Sequence, residues 1–198
     1  MDIKNSENPD QKSGLNLQSI ALTLAGALVL LAVWIQYHTP LNLDAGYYMR
    51  ILPQILSGDF WFGDDSPSYT SLIRMMVYLL FFPPMLFTKL TGITDEYALK
   101  GYMFVLSFGT LFFLTSFVKQ LTTTRHSRFW FLIPIYVFFA LVWPVEMMGE
   151  KEHFFFLLIL PYVLSVATRV DGLKWQQENS ILIGIAAGIA VVIKPQFL

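Results

Sequence analysis

Ile20-Ala21-Leu22-Thr23-Leu24-Ala25-Gly26-Ala27-Leu28-Val29-Leu30-Leu31-Ala32-Val33-Trp34-Ile35 carries no charge and a single hydroxyl. A helix of this composition is apolar all round, so it needs an apolar surrounding on every side. The leader from Met1 to Leu17 is rich in Asn, Gln, Ser and Asp and has no basic excess. No small-residue cleavage site follows, and the run exits into Trp34, Gln36, Tyr37 and His38. The stretch therefore reads as an uncleaved transmembrane helix and not as a signal peptide. Residues 1–19 read as a polar, disordered cytoplasmic tail.

Working outward, five further apolar segments appear. They run from Leu72 to Leu90, Gly101 to Val118, Phe129 to Val145, Phe154 to Thr168 and Ile181 to Ile193. Tyr37, Trp130, Trp143 and Trp175 stand near segment ends, as an interfacial aromatic belt would place them. Of the 198 residues 55% are hydrophobic and only 14% charged, against about 25% charged in soluble domains. Mean hydropathy is +0.55. The expected class is an all-α, polytopic transmembrane bundle over residues 20–198, preceded by the tail. No repeat and no strand pattern stands out. The chain stops at Lys194-Pro195-Gln196-Phe197-Leu198, directly after an apolar run, which leads us to expect that a longer protein continues beyond it.

A net charge of −1 excludes nucleic acid as an expected partner. The absence of cysteine excludes disulfides, thiolate metal sites and thiol catalysis. Phosphate-binding glycine loops, G-x-S-x-G elbows and H-E-x-x-H zinc helices are absent from the sequence. Gly184 and Gly188 form a G-x-x-x-G pair, which is a close-packing device between helices.

Charge sets the orientation. The loop from Lys119 to Arg128 holds Lys119, Arg125 and Arg128 and no acid, so it is expected inside. That side is reached only if one of the preceding segments does not cross. Leu72–Leu90 is the candidate, because it holds Arg74 and the pair Pro83-Pro84, which removes backbone donors that lipid does not replace. It is expected as a re-entrant or juxtamembrane helix on the outer leaflet, leaving five spans. A long outer loop then covers residues 36–99, and Glu146–His153 and Lys194 also face outside.

Three polar clusters meet at that outer face: Leu43-Asp44-Ala45-Gly46-Tyr47-Tyr48, residues Glu146 to His153, and Lys194-Pro195-Gln196. Ionisable groups at a membrane boundary are costly to keep and point to function. Each also has a plain reading. Asp44 is a chemical group or a helix-capping acid. Glu150, Lys151 and Glu152 are a site or a solvated turn. His153 is a ligand-binding group or a helix start, and Lys194 is a site or a snorkelling cation. Asp59, Asp64 and Asp65 read as turn residues beside Gly58, Gly63 and Pro67. Arg74 either pairs with one of these acids or meets lipid phosphate.

This order of features resembles the membrane glycosyltransferases of the GT-C superfamily, which include protein mannosyltransferases and aminoarabinose transferases. Glu150-Lys151-Glu152-His153 is similar to the Q-R-E-H motif of a bacterial group, with Glu and Lys standing for Gln and Arg. The stretch from Gly188 to Lys194-Pro195 is similar to that group's "GLA…KP" ending. The resemblance covers Ile20 to Leu198, the N-terminal portion of a typical member.

It implies transfer of a sugar from a polyprenyl-phosphate donor to an acceptor hydroxyl, with inversion, at the outer face of a bacterial inner membrane. It assigns Asp44 as general base. Glu152 orients the acceptor or, with Asp44, holds a divalent metal such as Mg or Mn. Glu150, Lys151, His153, Lys194 and Arg74 are assigned to the substrate and its lipid phosphate. A non-enzymatic membrane protein, such as a transporter component or assembly partner, is the alternative, and a truncated inactive fragment is a third reading. Transporters show polar groups near mid-membrane; here they gather at helix ends.

Overall fold

The computed structural model describes residues 9–56, 71–124, 127–170 and 180–193. All regular structure among them is helical. The chain forms α1 (Pro9–His38), α2 (Leu43–Leu56), α3 (Ser71–Thr91) and α4 (Asp95–Thr124). A composite rod follows, made of a 3₁₀ turn (Ser127–Phe131), α5 (Leu132–Val137) and a π-turn (Phe138–Val142). Helices α6 (Lys151–Val170) and α7 (Ser180–Ile193) complete the bundle.

Five of the six apolar segments read from the sequence fall wholly in helical structure, and the other, Phe129 to Val145, is helical as far as Val142. Three details differ from expectation. The helix of α1 reaches back to Pro9, into the tail expected to be disordered, because extending a formed helix costs far less than starting one. The expected outer loop contains α2 in addition to α3. Helix α3 runs unbroken through Pro83 and Pro84. Val77, Leu80, Phe81 and Met85 are buried where α3 packs on α2, α4 and α7, and this packing carries the helix past the missing donors.

α1 and α4 both pack along the 127–142 rod; α4 also packs on α6, and α6 on α7. Two helical stretches, Leu17–His38 (mean hydropathy 2.1) and Asp95–Lys119 (1.7), are long and apolar enough to cross a membrane. At about 1.5 Å per residue the shorter spans roughly 33 Å, against a hydrocarbon core of about 30 Å. Val77–Thr91, Arg128–Val142 and Ser180–Ile193 are apolar but shorter. Large side chains face outward as well as inward, among them Leu30, Val105, Phe112 and Ile181.

Three prolines explain most of the polar bonding inside. A proline has no N–H, so it frees the carbonyl four residues earlier. Pro161, inside α6, frees the Leu157 carbonyl, and Thr110 Oγ1 on α4 donates to it at 3.0 Å. Pro40 likewise frees Gln36, which accepts from Lys100 Nζ at 2.7 Å. Pro144 frees Ala140. The π-register offers Val145 N–H as an alternative donor, but that group bonds Trp143 O at 2.8 Å, and His153 Nε2 serves Ala140 O at 2.8 Å. In apolar surroundings side chains from neighbouring helices take the place of water.

Candidate functional site

One end of the bundle gathers the exit of α1, the starts of α2, α4 and α6, and residues 143–150. Thr39-Pro40 stops α1, and Asn42 opens α2: its Oδ1 accepts from Asp44 N–H at 2.8 Å and its carbonyl from Gly46 N–H at 2.9 Å. Asn42 is thus the N-cap, and Asp44 lies in the first turn, exposed, where the helix dipole favours a carboxylate.

The same Asn42 ties this start to the loop before α6. Its Nδ2 donates to Glu146 O at 3.0 Å. Gln36 Nε2, from α1, donates to Pro144 O at 3.3 Å. The loop comes this close because Gly149 adopts φ +83°. A Cβ there would stand 2.9 Å from Leu99 Cδ2 and 3.6 Å from Ala45 Cβ.

α6 then begins on Glu150, whose carbonyl accepts from Phe154 N–H at 3.1 Å. Lys151 Nζ sits 5.1 Å from the centre of the Tyr48 ring. Tyr48 is one helical turn after Asp44, so carboxylate and ammonium share one side of α2. The Tyr48 ring lies 5.2 Å from Phe81, which lies 5.4 Å from Phe154, an aromatic floor built from α2, α3 and α6.

The first two sequence clusters therefore meet. Glu150, Lys151 and Glu152 are half-buried there. His153 departs from the expected phosphate contact: it is 4% exposed and its Nε2 serves the carbonyl that Pro144 frees. Burial pushes its imidazole down to about 4, against a smaller upward pull from the Ala140 carbonyl. Arg74 lies in the first turn of α3, but its side chain is outside the described set; Lys194, Asp59, Asp64 and Asp65 lie outside the described residues. Among the described residues no three His, Asp or Glu side chains come together. No chemical step is assigned to a metal.

Lys100 was not among the sequence candidates. It is 6% exposed and donates to Gln36 O, Thr39 O and Glu96 Oε1. The available signal was the Glu96–Lys100 spacing of four, which places both groups on one face of α4.

Compared with protein-family models, curated proteins and solved structures, the chain matches none.

Proposed function

We propose that this chain is a five-span integral membrane protein. In this reading it transfers a sugar from a polyprenyl-phosphate donor to an acceptor hydroxyl at the outer face of a bacterial inner membrane. The observation that carries the reading is the meeting of the Asp44 helix start with residues 146–153, joined by the Asn42–Glu146 hydrogen bond and by Lys151 over Tyr48. Asp44 is exposed at the head of α2, free of a capping duty because Asn42 holds it. It takes the proton of the acceptor hydroxyl as that oxygen attacks the anomeric carbon. Lys151 stands on the same side and offsets the charge of the departing lipid phosphate. Outward-facing apolar side chains on α1, α4 and α7 suit a lipid surrounding.

Two measurements test this. The cysteine-free sequence allows single cysteines at Leu43, Arg128 and Glu146, all exposed, to be probed with an impermeant thiol reagent in intact cells. Labelling at Leu43 and Glu146 but not at Arg128 is expected; the reverse puts the acids on the inner face and ends the proposal. Purified protein in vesicles holding a polyprenyl-phosphate sugar is then assayed for transfer. Asp44→Asn is expected to lower the rate by on the order of 10²- to 10⁴-fold. Tight binding of the donor with no transfer by the parent favours the non-enzymatic reading.

A further inference from the structure

The exit of α1 is where the backbone is most in need of help. Its last carbonyls have no intrahelical donors, and Pro40 removes the one N–H that would reach Gln36 O. Lys100 crosses from α4 and supplies the missing donors. Its ammonium has three N–H bonds, and three acceptors surround it: Gln36 O, Thr39 O and Glu96 Oε1. The group is saturated, and its positive charge faces the negative end of the α1 dipole.

α1 and α4 pack along the 127–142 rod and not along each other. At this end the Tyr37–Tyr97 ring pair also joins them, with centroids 6.4 Å apart and Tyr97 half exposed. Immediately beyond the clamped Thr39 come Asn42, which bonds Glu146 O, and Asp44. The direction in which the chain leaves α1 therefore sets where Asp44 stands against residues 146–153.

We propose that Lys100 is a positioning residue, which holds the exit of α1 so that Asp44 is presented to the Glu150–Lys151–Glu152 segment. The role in catalysis rests on the transferase reading; the role in geometry does not. Lys100 touches no substrate in this assignment, and acts through the backbone carbonyls of Gln36 and Thr39.

The test measures geometry apart from activity. Nitroxide labels on cysteines at Asp44 and Glu146, both exposed, report their separation through dipolar broadening, and a second pair at Tyr162 and Ile185 on α6 and α7 reports the rest of the bundle. In the parent the 44–146 pair is expected to give strong broadening with one narrow distance. In Lys100→Met the 44–146 distance is expected to widen while the 162–185 pair stays unchanged. Should Lys100→Met fail to fold, Glu96→Gln removes the counter-charge alone and is expected to widen the same pair to a smaller extent. An unchanged 44–146 distance in the variant that folds overturns the proposal. Equal widening of both pairs also overturns it, since Lys100 would then serve the whole fold. In the unlabelled variant kcat is expected to fall at least tenfold with KM for the donor little changed. If Asp44→Asn leaves transfer intact, the assignment of Asp44 as the base fails, and with it the catalytic role of Lys100, while the spectra still decide its role in geometry; if the parent transfers nothing, the transferase reading fails and the spectra again stand.

Discussion

Lys100 and Lys151 occupy the same end of the bundle and live in opposite circumstances. Lys100 is buried and saturated, with all three donors spent on a carboxylate and two orphaned carbonyls. Lys151 is half-buried, with its ammonium over the face of Tyr48. In an apolar bundle a polar group enclosed by protein serves the backbone that water does not reach. A charge at the rim keeps capacity for something that arrives. His153 belongs with Lys100, and Asp44 with Lys151.

The sharpest way to break this division is to remove the two cations in turn. Lys100→Met leaves two carbonyls without donors, while the Glu96 carboxylate, 40% exposed, keeps its contact with solvent; the loss is expected to be about 2–4 kcal/mol in detergent unfolding experiments. Lys151→Met loses a cation–π contact worth about 0.5–1 kcal/mol, and is expected to unfold nearly as the parent does while transfer falls about tenfold or more. Similar stability losses in both variants would erase the distinction.

His153 gives the comparison a pH axis. Its folded value of about 4 lies below the ordinary 6.5, so the unfolded chain takes up a proton before the folded one does. The His153 contribution is complete above pH 6.5 and drains away as the pH falls toward 4. Protonation would place an N–H on the buried Nδ1, which has no hydrogen-bond partner. The loss amounts to up to about 3 kcal/mol. Unfolding midpoints measured between these pH values are expected to fall for the parent and to be flatter for His153→Gln. Parallel profiles would return His153 to the exposed group.

How much of this was legible in advance follows from range. Ile20–Ile35 and its five successors were readable because an apolar run needs no partner to declare itself. The meeting of Asp44 with residues 146–153 was readable as an ordering of charges along an assumed topology. α2 was not, since Gly46 and Pro53 interrupt it and Asn42, four residues past the end of α1, caps it. The duties of Lys100 and His153 were hidden for one shared reason. Each serves a carbonyl freed by a proline on another element, Pro40 for one and Pro144 for the other, and that pairing exists only once the helices are packed.

Two glycines with left-handed backbone separate conformational strain from crowding. Gly92 at φ +74° has open space where a Cβ would stand, and Gly149 at φ +83° has Leu99 Cδ2 at 2.9 Å. Gly92→Ala is expected to cost about 1 kcal/mol, from the backbone alone. Gly149→Ala is expected to cost about 2–3 kcal/mol, because it also pushes the 143–150 loop off Leu99. Thermal unfolding of both variants checks this, and equal costs would mean that the loop does not rest on α4 as described.

The smallest effect tests the proline argument itself. Thr110 and Thr115 are both on α4, and both hydroxyls donate to carbonyls, but to carbonyls of different standing. Thr115 Oγ1 bonds Phe112 O, three residues back in its own helix, at 2.8 Å. That carbonyl has Ser116 as its ordinary helical donor, so Thr115→Val is expected to change stability by only a few tenths of a kcal/mol. Thr110 Oγ1 bonds Leu157 O, whose helical donor is missing because residue 161 is proline. Thr110→Val keeps the shape and leaves a buried carbonyl bare, at about 1–2 kcal/mol. The decisive variant is Thr110→Val combined with Pro161→Ala. Restoring the N–H at 161 gives Leu157 O its own donor, so the double variant is expected to recover most of what the single one loses. If it recovers nothing, Thr110 is held there by packing and its bond to α6 is incidental.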